Sequence, residues 1–388
     1  MNAYHTLDLR KFVAPEIVFG AGAVKLAARY AKNFGAHRVL IVTDPGICKH
    51  GHVKSVADSL EDIGLQYAVF SGVAPNPDDT QVMEGSGAYE DNDCDIIIAI
   101  GGGSPMDCAK GIGIVSTNKK HILSFEGVDR VPKPGPPLIC IPTTAGSSAD
   151  VSQFAIIKNS VKKNKIAIIS KTVVPDVALI DPATTRTMPD RLTACTGMDA
   201  LTHAIEAYVS NASSPLTDIH AIEAIRLVSR SLIPALNDRE NLSLRANMML
   251  GSLNAGLAFS NASLGAVHAL AHSLGGYYDL PHGECNAVLL RHVVDYNFDS
   301  SPDRYAAIAD AMGIPVIGMG KDTVRQALRE KLASLQAEAG IMDGLGKMGV
   351  KTESIPELAR MAYNDPCIVT NPEDASVEDI IKMYESAF

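Results

Sequence analysis

The sequence contains no apolar run long enough to cross a bilayer, which argues against a membrane-spanning helix. Its opening, MNAYHTLDLRKF, lacks a basic stretch followed by an apolar one, so no secretory signal is expected. The seven cysteines (Cys48, Cys94, Cys108, Cys140, Cys195, Cys285, Cys367) include no CxxC pair. An odd, unpatterned set argues against a disulfide framework and a thiol-redox motif, and for reduced thiols in a cytoplasmic protein. Positive charge is in deficit: 34 Lys and Arg against 44 Asp and Glu give a net charge of -10 and a pI near 5.6. Neither a nucleic acid nor an anionic membrane surface is therefore an expected partner. Low-complexity tracts and internal repeats are absent. So is the G-x-G-x-x-G fingerprint of the common dinucleotide fold, of which FGAGAV near Gly20 is only a fragment.

What is present divides into two regimes. The 388 residues exceed one ordinary core and imply at least two domains. In the first half, HRVLIVTD, LQYAVFSGV, CDIIIAIGGG and PLICIPTT read as strands, with GHVKSVADSLEDIG and DTQVMEGSGAYEDN as helices between the first of them. Near-continuous apolar strands alternating with helices predict a parallel sheet covered on both faces. From about Pro189 the spacing is helical almost to the end. The seam is expected in DPATTRTMPDR (Asp181 to Arg191), which is rich in turn formers. The expected architecture is a Rossmann-like α/β nucleotide-binding domain over residues 1–187 and an all-α domain over residues 188–388.

Gly101, Gly102, Gly103 and Ser104 lie between a predicted strand and a predicted helix. Glycines allow a sharp turn and close approach, and the helix start offers free N–H groups to a phosphate. A plain strand-to-helix turn is the simpler alternative. Asp44 ends the strand VLIVTD. A carboxylate there suits an adenosine ribose and repels a 2′-phosphate, favouring NAD over NADP; equally, it suits the turn TDPG.

In TGMDALTHAIEAYVS, Asp199 and His203 stand four apart, on one helical face. They form either a simple helix pair or two metal ligands. His268 and His272 repeat the spacing, and His282 follows in DLPHGE, read as a Pro/Gly turn folding back over the helix. Asp199, His203, His268 and His282 together suit a borderline divalent metal such as iron or zinc, whereas any one histidine alone reads as a core residue.

The stretches GGGSPMDCAKG, IPTTAG, VALIDP, LTACTGMDALTHAIEAYVS, SLGAVHALAHSLGG, DLPHGECNAVLL and TNPEDASVEDIIKMY run from one end of the chain to the other. On them the chain resembles the iron-dependent (family III) alcohol dehydrogenases, which share their architecture with the dehydroquinate synthases. The resemblance implies that Asp199, His203, His268 and His282 bind one catalytic divalent ion, typically Fe2+, with Zn2+ or Mn2+ as alternatives. It implies that Gly102, Gly103 and Ser104 cradle the pyrophosphate of NAD and that Asp44 takes the adenosine ribose. Asn76, Thr143, Thr144, Lys165 and Leu179 match further cofactor positions. His272 matches a non-ligand histidine near the nicotinamide, a candidate proton carrier. The reaction implied is reversible hydride transfer between a primary alcohol or diol and NAD, with the metal polarising the substrate oxygen. A homodimer or larger homo-oligomer in the cytoplasm is implied as well.

One stretch departs from the family pattern: Gly146-Ser147-Ser148-Ala149-Asp150, beside the expected nicotinamide pocket, where the family often reads GTGSE. Gln153, Phe154, Phe259 and Asn261 are pocket candidates by their nearness to motifs. The rival readings are a glycerol dehydrogenase or dehydroquinate synthase on the same fold, and a non-catalytic assembly protein. The intact ligand set and glycine turn argue against the last.

Overall fold

The computed structural model describes residues 9–162, 164–342 and 344–388. It divides into two compact units, Val13–Met188 and Pro189–Phe388, the second joined by Leu9–Phe12. The boundary falls inside the expected seam. Leu9–Phe12, expected in the α/β part, group instead with the helices, where the Phe12 ring stacks on His220 at 5.7 Å.

In the α/β unit the strands are β1 (Glu16–Phe19), β2 (Arg38–Val42), β3 (Gln66–Phe70), β4 (Ile96–Gly101), β5 (Gly127–Val128), β6 (Leu138–Pro142), β7 (Phe154–Asn159), β8 (Asn164–Ile169) and β9 (Val177–Ile180). The helices are α1 (Ala27–Asn33), α2 (Pro45–Lys49), α3 (His52–Glu61), α4 (Asp79–Asp91) and α5 (Gly103–Asn118). Six strands form an all-parallel sheet in the order β1-β9-β6-β4-β2-β3. All six residues of β4 are buried, because helices cover both faces. Side chains alternate between them: Leu40, Val42, Ile97 and Ala99 pack with Val82 and Ile112 on one face. On the other, Val39, Ile41, Ile98 and Ile100 pack with Ala27, Val56 and Leu60. At about 1.5–3 kcal/mol for each large side chain removed from water, these layers fix the sheet. A second sheet, β5-β8-β7, was not expected; it contains the antiparallel hairpin β7–β8.

The chain order places β3 to one side of β2 and β4 to the other, so the winding direction reverses between β2 and β4. In open α/β sheets ligands bind beyond the carboxyl ends of the strands at such a reversal. Asp44 and the Gly101 turn lie there.

The helical unit comprises α6 (Asp190–Val209), α7 (Pro215–Asn237), α8 (Leu242–Ala262), α9 (Ala266–Tyr278), α10 (His282–Asn297), α11 (Pro302–Ala311), α12 (Lys321–Glu338), α13 (Ile355–Tyr363) and α14 (Val377–Ser386). Fifteen residues of α6 are buried, including Asp199, His203 and Glu206. No helix among the described residues is long and apolar enough to cross a membrane.

Candidate metal centre and cofactor turn

Four side chains from three helices converge in the helical unit. Asp199 and His203 come from α6, His268 from α9 and His282 from α10. His282 is not in a turn, as the sequence suggested, but opens α10. Pro281 precedes it with φ -61°, a residue suited to a helix start because its missing N–H is not needed there. The Nε2 atoms of His203, His268 and His282 stand 3.8, 3.7 and 3.7 Å from a single oxygen, Asp199 Oδ1. The donor atoms of Asp199, His268 and His282 lie within 4.8 Å of one another, near the separation of about 3.4 Å that tetrahedral ligands at about 2.1 Å from an ion have, and His203 approaches this trio through Asp199. One hard oxygen and three imidazole nitrogens form a donor set for iron(II) or zinc(II). The residues present therefore fit a divalent ion.

The surroundings hold the donors in place. His203 stacks on His268 at 4.5 Å and on Phe259 at 4.3 Å. Asp199, His203 and His268 are buried, whereas the His282 side chain keeps 27% of its surface, leaving one open side. Burial works against the Asp199 carboxylate, but His203, His268 and His282 outweigh it and hold its pKa far below the ordinary range. Burial likewise opposes the His268 imidazolium, yet Glu206 and Asp199 raise its pKa to about 9.

Three further residues complete the site, none singled out in the sequence. Glu206 Oε2 is 2.5 Å from His268 Nδ1. Its place seven residues after Asp199 continues the helical stripe, a signal that could have been read. Asn286 Nδ2 donates to Asp199 Oδ1 at 2.7 Å and lies 3.2 Å from Nε2 of both His268 and His282. It sits one turn after His282, where the Pro/Gly turn signal of that stretch conceals the helix. Asp365 Oδ2 is 2.9 Å from His272 Nδ1, across 93 residues of sequence, and no local pattern points to it. The His272 ring stacks on His282 at 5.3 Å, while its ring nitrogen groups with Asp365 and Cys367. Burial pushes the Asp365 carboxyl up, but His272 and the Cys367 N–H bring it below its usual value.

In the α/β unit, Gly101 adopts φ +150°, and a Cβ there would meet Pro105 Cγ at 2.6 Å. Cβ atoms on Gly102 and Gly103 would stand 3.2 Å from Thr144 and 3.0 Å from Ser147. The glycines thus let the departing loop close over the start of α5. Asn76, in a left-handed conformation (φ 55°), donates its N–H to Ser104 Oγ at 3.3 Å. Its Oδ1 accepts from Lys165 Nζ at 2.8 Å. Asn76, Ser104 and Lys165, far apart in sequence, are one cluster. Thr143 is buried, and among the described residues its Oγ1 has no hydrogen-bond partner, which fits a place for a polar group. Asp44 Oδ1 accepts from the N–H groups of Gly46 and Ile47, capping α2. Its Oδ2 faces Gly101, 3.4 Å from where a Cβ would be. The turn and ribose readings of Asp44 are therefore compatible, one oxygen for each. Leu179 is fully buried in the sheet core, and its main chain pairs with Val18 of β1.

The loop after Asp150 is fastened from beneath. The buried Lys110 donates to the carbonyls of Ser152 and Phe154 at 2.9 and 2.7 Å. Gln153 and Phe154 are in this loop and the start of β7. In the helical unit Phe259 stacks on His203, whereas Asn261 Nδ2 donates to Leu257 O.

Residues 14–182 match the model of the iron-containing alcohol dehydrogenases, and residues 193–388 match that of the C-terminal domain of the same family. The chain belongs to the iron-containing alcohol dehydrogenases. It is an alcohol dehydrogenase, and a solved relative at 28% identity, the sulfoacetaldehyde reductase of Bifidobacterium kashiwanohense, is in complex with NAD+. The chain is 41% identical to the 1,3-propanediol dehydrogenase of Citrobacter freundii, covering 97% of this chain and 98% of that one. It is 41% identical to the lactaldehyde reductase of Escherichia coli (strain K12), over 95% and 97% of the two chains. The crystal structure of a 1,3-propanediol oxidoreductase superimposes with a TM-score of 0.96 at 39% identity, covering 98% of this chain and all of that one.

Proposed function

We propose that Asp199, His203, His268 and His282 hold the iron of this enzyme, and that its substrates are short primary alcohols and diols with their aldehydes. The observation that carries the metal assignment is the single carboxylate oxygen with three imidazole Nε2 atoms 3.7–3.8 Å from it. Support for the substrate class comes from the names of two similar proteins, a 1,3-propanediol dehydrogenase and a lactaldehyde reductase. When bound, the ion supplies Lewis acidity toward the alcohol or carbonyl oxygen, and NAD supplies the hydride acceptor.

The chain's own residues bind and orient. The N–H groups at the start of α5, with Ser104, Asn76 and Lys165 around them, cradle the pyrophosphate, and Thr143 and Thr144 line the same turn. Asp44 Oδ2 takes the adenosine ribose hydroxyls and repels a 2′-phosphate, so NAD is used over NADP. At His272, Asp365 accepts from Nδ1–H, which leaves the Nε2 lone pair to receive or return a proton. Residence in the cytoplasm and assembly into a homodimer or larger homo-oligomer complete the reading, the first supported by cysteines that are all free.

The test is NADH formation from protein stripped with chelator and reloaded anaerobically with Fe(II), Zn(II) or Mn(II). The panel includes ethanol, 1,2-propanediol, 1,3-propanediol and glycerol. Turnover only with metal, greatest on a propanediol, is expected. Turnover confined to glycerol would overturn the substrate assignment, and full turnover without metal would overturn the site.

A further inference from the structure

Glu206 is buried at 4% exposure, at the point where α6 meets the start of α9. Its Oε1 accepts from the Val267 N–H at 2.6 Å, and its Oε2 lies against His268 Nδ1 at 2.5 Å. Gly265, just before α9, makes room: a Cβ there would stand 3.1 Å from Glu206 Oε1. The next N–H of the helix, that of Ala266, is taken by Asn371 Oδ1. A buried carboxylate is tolerated when charge-assisted hydrogen bonds and a helix N-terminus stabilise its anion, and Glu206 has both.

We propose that Glu206 is a positioning residue that fixes the tautomer of His268 and thereby sets the affinity of the site for its ion. The inference rests on the metal assignment above. A carboxylate has acceptors only, so the nitrogen facing it must carry the proton. With Nδ1 protonated, the lone pair of a neutral His268 is on Nε2, the atom 3.7 Å from Asp199 Oδ1. The same carboxylate fixes the ring's rotation, because its other oxygen is anchored to the backbone of the helix that bears His268.

This arrangement needs two acceptors, which a glutamine does not have. In Glu206→Gln the single amide oxygen satisfies either the Val267 N–H or His268 Nδ1–H, and the NH2 group faces the other donor. If the NH2 faces His268, the clash is relieved only when the ring proton moves to Nε2, where it blocks the ion. If the NH2 faces Val267, two N–H groups oppose each other and the helix start is pushed away. Either outcome weakens ligation while changing one atom in the side chain.

The experiment is chelator competition for Zn(II) with the wild-type protein, Glu206→Gln and Glu206→Asp, alongside thermal melts. 15N-histidine NMR of the Zn(II)-loaded proteins reads the tautomers. The expected result is a loss of affinity of about 10- to 100-fold in Glu206→Gln. Glu206→Asp keeps the charge one methylene shorter and should recover part of that loss. In the wild type, His268 should show a hydrogen-bonded Nδ1–H. A purely structural role would lower the melting midpoint of Glu206→Gln and leave Zn(II) affinity of the folded protein unchanged; affinity within twofold of wild type overturns the proposal. If Glu206→Gln does not fold, an Nδ1 without a proton in wild-type His268 overturns it equally. Failure of the wild type to bind Zn(II) or Fe(II) would instead sink the metal assignment.

Discussion

Adding one methyl group at Gly283 tests whether the spacing of two helices sets the metal site. Gly283 follows His282 at the start of α10. A Cβ at this position would stand 2.5 Å from Cys195 O, 2.9 Å from its carbonyl carbon and 3.1 Å from its Cβ. The first distance is about 0.9 Å short of the 3.4 Å at which ordinary contact begins. The obstacle is backbone, so it cannot rotate away. By helical geometry, Cys195 O is also the acceptor for the N–H of Asp199, four residues on. Gly283→Ala therefore pushes α10 away from the turn of α6 that carries Asp199. A displacement near 1 Å exceeds the roughly 0.5 Å within which a ligand set works. Overpacking of this kind costs about 1–3 kcal/mol. The expected result is a weakening of Zn(II) or Fe(II) affinity by at least tenfold, a parallel fall in turnover at limiting metal, and a lower melting midpoint. Gly197→Ala is the matched control. It is on α6, two residues before Asp199, and its Cβ would meet Leu232 Cδ1 at 2.4 Å and Met248 Cε at 3.0 Å. Those are the ends of flexible side chains, and alanine favours the helix by up to about 1 kcal/mol. This variant should keep wild-type metal affinity. If Gly283→Ala binds metal like the wild type, or if the two variants lose affinity equally, helix spacing is not what sets the site.

Two other substitutions separate roles that the fold brings close together. His268→Ala should lose metal and nearly all turnover, whereas His272→Ala should keep metal, measured by plasma emission, and lose only part of the rate; equal metal loss in both would refute the distinction between ligand and proton carrier. Asp44→Ser keeps an acceptor for the Gly46 and Ile47 N–H groups, so the melting midpoint should move little. The preference for NAD over NADP, read as the ratio of kcat/KM values, should fall at least tenfold, and an unchanged ratio would leave Asp44 as a helix cap alone.

The features legible in the sequence were those that local pattern controls. The run IIIAIG could only be a strand buried on both faces, and β4 is one. The i, i+4 spacing of Asp199 and His203 survived because one helix carries both. What escaped depended on contacts between distant segments. Asp365 reaches His272 through the packing of the Pro366–Thr370 turn against α9, and nothing near residue 365 announces it. Phe12 belongs with the helices because its ring meets His220. Lys110, a residue type that is ordinarily exposed, is buried because the carbonyls of Ser152 and Phe154 receive its ammonium group. Proline and glycine usually signal a turn, and Pro-His-Gly at Pro281 to Gly283 carries that signal. Here proline starts a helix, and glycine is needed for close approach to α6 rather than for a bend.

The buried polar contacts around the ligands follow a common plan. The proposed ligands come from α6, α9 and α10, and polar side chains bridge these helices near the site. Glu206 ties α6 to the start of α9. Asn286 ties α10 to Asp199 on α6 and reaches His268 on α9. Glu284, also on α10, accepts from Arg191 Nε on α6 at 2.5 Å, and Cys195 Sγ lies 3.7 Å from the same oxygen. Packing fixes the distance between the helices, and these short, directional hydrogen bonds add constraints on their rotation. Glu206 and Glu284 therefore hold α9 and α10 against α6 through atoms that the ion does not use, whereas Asn286 Nδ2 faces the Nε2 lone pairs of His268 and His282 and must yield them to an ion. The His203 ring is clamped between Phe259 and His268. A site built in this way should discriminate between ions mainly by size and preferred geometry, and its affinity should respond more sharply to the loss of a bridge than to the loss of an apolar neighbour of equal volume.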